Sequence, residues 1–325
     1  MREGELFRQL RKDRGLSLKK VADELNSVSF ISKFEQGNSN ISIHRLERLL
    51  ENINVTIEEF YYLRAPKSQV KLFTLLTDLP HYMTGTYLVY LNRIMIINEK
   101  YNLYQREKGI AELRKIYSEL DGSIRWQNFV QLFCQILIDS YQANLHKVKG
   151  VGAQKLFDNF RIKTRPVVSY LYSVENWGVF EVLIFRFFQF AFPVETIRQL
   201  LPTALSRMEK EAGLSMMRDL RTSLLFSVFT TFINFRYIDE CKEVLKILEK
   251  ILSDTSDSAN SIHLLFYKGW FQMVTESKEK GLEKCQQAIS IFRILNLPKL
   301  VQNSEYILEI VLQNLEKPDD YMVFS

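Results

Sequence analysis

Apolar residues recur at intervals of three and four along almost the whole of this 325-residue chain, and that pattern leaves few folds open. A helix gathers positions i, i+3, i+4 and i+7 on one face, whereas a half-buried strand alternates. Only 12 Gly and 7 Pro interrupt the pattern, too few for the turns of many short strands. The expectation is an all-α protein, and its length suggests two domains.

The first 65 residues parse as five short helices: Gly4–Asp13, Leu18–Leu25, Ser29–Gln36, one capped by Ser42, and Ile57–Leu63. Gly15 closes the first and Ser17 caps the second, which turns Leu18, Val21, Ala22 and Leu25 inward. Asn26-Ser27 makes a tight turn, where Asn tolerates left-handed backbone angles. The third helix buries Ile31 and Phe34 and ends at Gly37. Thr56-Ile57-Glu58-Glu59 has the capping-box spacing that opens the fifth. Pro66 cannot continue that helix, so 66–72 reads as a linker between a domain at 1–65 and another at 73–325.

Helical periodicity then resumes over 69–79, 84–104, 108–119, 124–146, 153–161, 165–174, 177–191, 194–211, 215–235, 239–252, 260–275, 279–294 and 299–315. Consecutive pairs joined by short turns suggest hairpins stacked as a tetratricopeptide-like α-solenoid. In Ser261–Leu295 the small residues Gly269, Gly281 and Ala288 fall at intervals of 12 and 7, where such a repeat needs close helix approach, although Cys285 takes a site usually aromatic.

A hydrophobic content of 46% beside 25% charge is that of a globular chain. The longest greasy stretch, Val179–Phe192, is broken by Glu181, Arg186 and Gln189 and is too short to span a bilayer. The start Met-Arg-Glu-Gly-Glu-Leu-Phe-Arg lacks a secretory apolar core, so a cytoplasmic protein without membrane association is expected. Three scattered cysteines, Cys134, Cys241 and Cys285, make neither a disulfide framework nor a zinc site. No His among His44, His81, His146 and His263 sits in an HExxH pattern, and no phosphate loop or nucleophile elbow appears. No catalytic residue, metal or cofactor is expected.

The arrangement within 1–65 fits a helix-turn-helix, whose second helix braces across the backbone while the third enters the major groove. Ala22 is the small residue at the crossing, and Asn26 makes the turn four residues on. Ser27, Ser29, Phe30 and Lys33 then point away from the buried face: Lys33 can reach guanine acceptors and Phe30 a thymine methyl. Gln36, Asn38, Asn40 and Ser42 lie where the next loop and helix start would meet phosphates. Although this segment is nearly neutral, with eleven Lys and Arg against ten Asp and Glu, Arg8, Arg11, Lys12 and Arg14 crowd one end of the first helix as phosphate-docking candidates.

Leu10-Arg11-Lys12-Asp13-Arg14-Gly15-Leu16-Ser17 and Ile31-Ser32-Lys33-Phe34-Glu35-Gln36-Gly37 resemble the Cro/C1-type helix-turn-helix. More narrowly, the run Ser27–Ser42 resembles the Rgg/GadR/MutR family of Gram-positive regulators. Gln36 stands where that family usually carries Arg, and Phe30 replaces a usual polar residue. Glu175-Asn176-Trp177-Gly178-Val179-Phe180-Glu181, followed by Leu183-Ile184-Phe185, is similar to the family's mid-domain signature. Lys268-Gly269, Gly281-Leu282-Glu283-Lys284 and Ala288-Ile289-Ser290-Ile291-Phe292 are similar to its closing repeat. The resemblance implies a homodimer that binds an operator in double-stranded DNA and a short signalling peptide in the groove of its helical domain.

Two oddities of the second domain bear on such a ligand. Arg186 lies in an otherwise greasy helix, and Glu181, about 140° away, cannot be its partner. A guanidinium there needs an acceptor, either a carboxylate from a neighbouring helix or an anionic ligand group such as a peptide C-terminus. In 215–235 the residues Ser223, Ser227, Thr230, Thr231 and Asn234 form a polar stripe, with Arg221 at its start. The stripe either bonds an extended peptide or lets helices pack closely. With Gln189 on the first helix, and Tyr267 from the His263, Tyr267, Trp270 stripe of a later one, the peptide candidates are Arg186, Gln189, Arg221, Ser227, Thr231, Asn234 and Tyr267. Three readings stay open: a peptide-responsive regulator, a ligand-independent repressor of a mobile element, and a repeat adaptor for a partner protein.

Overall fold

The computed structural model describes residues 2–64, 86–101, 105–146, 148, 151–210 and 215–316, which hold seventeen α-helices and no strand. These residues form two compact units, one of 2–64 with 86–92 and one from 93 onward. The expected linker at 66–72 and helix at 69–79 lie outside the described residues.

The first unit contains α1 (Glu3–Asp13), α2 (Leu18–Val21), α3 (Val28–Glu35), α4 (Ile43–Glu51) and α5 (Ile57–Arg64). Their apolar faces close on one core that includes Phe7, Val21, Ile31, Leu49, Ile53 and Phe60, all essentially inaccessible. Three serines start helices by accepting a backbone N–H three residues on: Ser17 from Lys20, Ser27 from Phe30 and Ser42 from Arg45. Gly37 adopts φ +77° as the chain leaves α3, a left-handed angle costly for any residue with a Cβ.

The structure corrects the expected second helix. It is one turn, Leu18–Val21, because Ala22 is already extended at φ −72°, ψ 144°. The cause is Asp23, whose carboxylate accepts from the backbone N–H groups of Leu25 and Asn26 at 3.0 and 2.8 Å and offers the chain a turn in place of a helix. Ala22 still packs on the core, but from beyond the helix end. Leu25, expected inward, is 41% exposed. Asn26 is fully buried and not left-handed; its amide holds the Arg45 carbonyl at 3.3 Å. Ser27 caps α3 and so precedes the helix head.

Helix α6 (Thr86–Tyr101) spans the division between the units. The second unit continues through α7 (Arg106–Glu119), α8 (Arg125–Leu145), α9 (Val151–Lys163), α10 (Arg165–Ser173), α11 (Val179–Phe188), α12 (Val194–Lys210), α13 (Ser215–Asn234), α14 (Ile238–Ser253), α15 (Ser258–Thr275), α16 (Lys278–Ile294) and α17 (Pro298–Glu316). The expected helix 177–191 divides into α11 and a 3-10 turn, Gln189–Ala191. Pro193 follows, and the residue before it, Phe192, is extended at ψ 156°, as a residue preceding proline prefers. The core is aromatic: Trp177, Phe185, Phe188, Phe226, Phe229 and Trp270 are all buried.

Helices α15 and α16 pack more extensively than any other pair among the described residues. A Cβ on Gly269 would meet the Gly281 carbonyl at 2.7 Å, and one on Gly281 would run into the Met273 amide. Ala288 is wholly buried in the same hairpin. The small-residue spacing of the tetratricopeptide-like hairpin is thus a backbone-to-backbone approach. The chain is an all-α protein in which a helix-turn-helix precedes helical repeats.

Candidate functional site

In the first unit α3 is seated by Ile31 and Phe34, which leaves Ser29 and Lys33 exposed on its outer face, with Ser27 ahead of it and Gln36 and Asn38 after it. The Gln36 side chain donates to Ser32 at 3.4 Å and accepts from Asn38 at 3.3 Å, so the two amides form one polar edge where α3 ends. Arg8 and Lys12 are exposed on α1.

Arg11 is a correction. It is buried, and its Nε and Nη2 donate to the two Glu35 carboxylate oxygens at 2.6 and 2.8 Å, while Nη1 donates to the Leu16 carbonyl at 2.5 Å. Its bonds to Glu35 hold the guanidinium pKa above its ordinary value despite burial. The side chain ties α1 to the end of α3, and its burial against a carboxylate keeps it from docking a phosphate. Phe30 is half-buried, because the Arg45 guanidinium lies 4.6 Å from its ring centroid. Sequence reasoning missed Arg45; the signal available was an unmatched cation just inside a serine-capped helix. A hollow of about 600 Å³ elsewhere on this unit is lined by Asp23, Glu24, Leu25, His44, Glu47, Arg48 and Glu51. Its carboxylates outnumber its one arginine, the wrong sign for DNA.

In the second unit the structure gathers Arg186, Gln189, Ser227 and Tyr267 with Ser223 along a seam between α11, α13 and α15. Arg186 is 7% exposed, its Nε donates to Ser223 Oγ at 2.9 Å, and its guanidinium carbon lies 5.3 Å from the Phe187 ring centroid. No carboxylate among the described residues pairs with it. Desolvation alone pulls its pKa down to about 10, partly opposed by the Tyr267 phenol nearby. Gln189 donates to the Ser227 carbonyl at 3.3 Å, but its buried Oε1 has no donor. Thr231 Oγ1 donates to the same carbonyl at 3.2 Å. The Tyr267 ring rests against Phe226 and Phe229, with centroids 4.6 and 5.2 Å away, and burial pushes its phenol up.

Asn234 is buried near the end of α13, and Arg221 stands apart, its Nη2 3.9 Å from Glu209 of α12. His263, 4.9 Å from Phe292 between ring centroids, is held neutral by burial, with a pKa pushed down to about 4. Burial raises the pKa of all three cysteines, Cys134 and Cys285 to about 12, which makes them packing residues. Among the described residues no cluster of His, Cys, Asp or Glu could hold a metal ion, and no helix is long and apolar enough to cross a membrane.

Two family models match the chain: the C-terminal domain of the HTH-type transcriptional regulator Rgg over residues 158–306, and a helix-turn-helix over residues 7–60. A protein of Listeria monocytogenes EGD-e described as a transcriptional regulator shares 21% identity and superposes with a TM-score of 0.73 over 97% of this chain and 98% of its own. The SHP pheromone receptor Rgg2 of Streptococcus dysgalactiae also shares 21% identity, with a TM-score of 0.66 over 96% of this chain and 99% of its own. The PrgX/cCF10 complex matches at 13% identity and a TM-score of 0.61 over 99% and 94%. At these identities the structures speak for the fold. The family models fall on the two regions whose geometry is described above: this chain joins an N-terminal helix-turn-helix to the C-terminal domain of the Rgg-type HTH transcriptional regulators.

Proposed function

We propose that this regulator is switched by a short peptide whose terminal carboxylate is received by Arg186. The helix-turn-helix at 1–65 reads an operator in double-stranded DNA, and the helical repeats at 73–325 bind the peptide and hold two copies together. The protein works in the cytoplasm and carries out no catalytic step. Rgg2 is a pheromone receptor and PrgX forms a complex with cCF10, which agrees with a peptide ligand.

The observation that carries the reading is a buried guanidinium with no anion against it among the described residues. Enclosing a charge without a counter-charge is unfavourable, so its presence calls for a compensating anion. A carboxylate supplies it through two parallel charge-assisted bonds, and the unsatisfied Gln189 Oε1 is placed to accept from a peptide N–H. The folded-state pKa of Arg186, near 10, lies below its ordinary 12.5. For a base, that sign means the folded state is penalised at every pH below about 10 and relieved only above it. Arg186→Met should therefore raise the stability of the empty protein, by about 1–3 kcal/mol. The same variant should lose affinity for free-carboxylate peptides by about 2–5 kcal/mol. Calorimetric melting and titration with a library of short apolar peptides, each with free and amidated C-termini, check both effects. Unchanged peptide affinity in a stabilised Arg186→Met protein removes the ligand role. A destabilised variant points to an internal partner instead.

A further inference from the structure

Seven arginines lie in the described part of the first unit up to residue 64: Arg2, Arg8, Arg11, Arg14, Arg45, Arg48 and Arg64. Four of them are paired with carboxylates: Arg11 with Glu35, Arg14 with Glu59, Arg48 with Asp23 and Glu51, and Arg64 with Glu3. Arg45 is not. It sits on the first turn of α4, and the positions three and four residues away, Ile41, Ser42, Arg48 and Leu49, offer no acid. Its guanidinium instead lies over Phe30, the third residue of α3, 4.6 Å from the ring centroid. Its backbone is fixed at both ends: the N–H by the Ser42 hydroxyl at 3.4 Å, the carbonyl by the buried Asn26 amide at 3.3 Å.

A ring holds a cation differently from a carboxylate. The attraction acts through the flat face, so it restrains the guanidinium without using its in-plane N–H donors or neutralising its charge. Arg45 is thus an exposed, restrained cation whose guanidinium meets no carboxylate among the described residues, beside the head of the helix that presents Ser29 and Lys33. It also explains why a phenylalanine stands at that head. We propose that Arg45 is a further DNA contact of this chain, taking a backbone phosphate, and that Phe30 serves as its platform and reads no base. The inference rests on the DNA-reading assignment of α3. Part of the ordering cost of a long side chain is met before DNA arrives, which favours the contact.

The test uses the full chain with Arg45→Gln, Phe30→Leu and the double variant, each checked for an unchanged melting temperature. Two probes are titrated over a range of salt concentrations: a random-sequence duplex, and the duplex that the wild-type chain enriches from a randomised library. Arg45→Gln should weaken both duplexes by the same factor, roughly tenfold, and flatten the slope of log affinity against log salt by about 0.9. Phe30→Leu should cause a smaller uniform loss and add nothing once Arg45 is gone. An unchanged salt slope in Arg45→Gln overturns the proposal. So does a Phe30→Leu variant that changes the ratio between the duplexes in the Arg45→Gln background, because Phe30 then reads bases itself. If the wild-type chain enriches no sequence at all, the DNA-reading assignment fails first, and that result is distinct from either.

Discussion

Arg11 and Lys12 are neighbours in sequence with opposite roles. A cluster of positive residues at a helix end suggests phosphate docking, but Arg11 stands four residues after Phe7 and one after Leu10, so it falls on the edge of the buried face. There it meets Glu35, and the pair satisfies both partners. Arg11→Ala should therefore unfold rather than merely loosen: it strands a buried carboxylate, at about 3–5 kcal/mol. Chemical denaturation of the first unit checks this, and a stable variant with a flattened salt dependence of DNA binding would restore Arg11 to the docking set. Arg8 and Lys12, by contrast, are exposed on α1. His263 supplies a pH prediction of definite sign. Its pKa falls from 6.5 to about 4 because burial outweighs the attraction of Asp257. Between those values the unfolded chain takes up a proton that the folded chain refuses, so stability should fall as pH drops from 6.5 towards 4, by about 2–3 kcal/mol in all. His263→Gln should flatten that decline in melting temperature; an equal decline in the variant assigns it to other groups.

At the scale of elements, the helix starts were legible because a cap is local chemistry. Ser17 and Ser42, read as caps, each accept one backbone donor three residues along; Ser27 does so too, where the sequence suggested only a turn ahead of a helix from Ser29. The end of α2 was hidden. The run Leu18, Val21, Ala22, Leu25 has helical spacing, but Asp23 holds two backbone donors itself and receives the Asn52 amide from the end of α4 at 2.9 Å. No periodicity argument contains that second partner. The same distance in sequence conceals the seam of α11, α13 and α15: Arg186 was recognisable as odd, but Ser223 as its acceptor, 37 residues on, follows only from packing. Legibility improves where an element's requirement is steric. Gly281→Ala pits a gain in helix propensity of about 1 kcal/mol against a Cβ placed on the Met273 amide and the Gly269 carbonyl. Neither backbone can yield without separating α15 from α16, so the clash should win, with a net loss of about 1–3 kcal/mol. A urea midpoint shifted upward would show that the hairpin is looser than described.

For the whole molecule, the separation into two units places all three cysteines, Cys134 on α8, Cys241 on α14 and Cys285 on α16, in the second and none in the first. Each thiol is fully covered, and burial suppresses its thiolate. In the native state a thiol reagent can reach them only when the surrounding helices part, so labelling rates measure local opening. The protein thus carries three clocks on different helices of its repeats, and the first unit has none to confuse them. Cys241 is the informative one, since its Sγ rests against the Phe229 carbonyl of α13, the helix that also supplies Ser223 and Ser227. A peptide that settles on that helix should slow the labelling of Cys241, resolved by mass spectrometry of the digested chain, more than that of Cys134. Equal slowing at all three sites would place the ligand's effect on the unit as a whole, and unchanged rates would mean that it never engages α13. The residues that appeared chemically idle then become the means of timing, without any substitution, how tightly each turn of the solenoid is held.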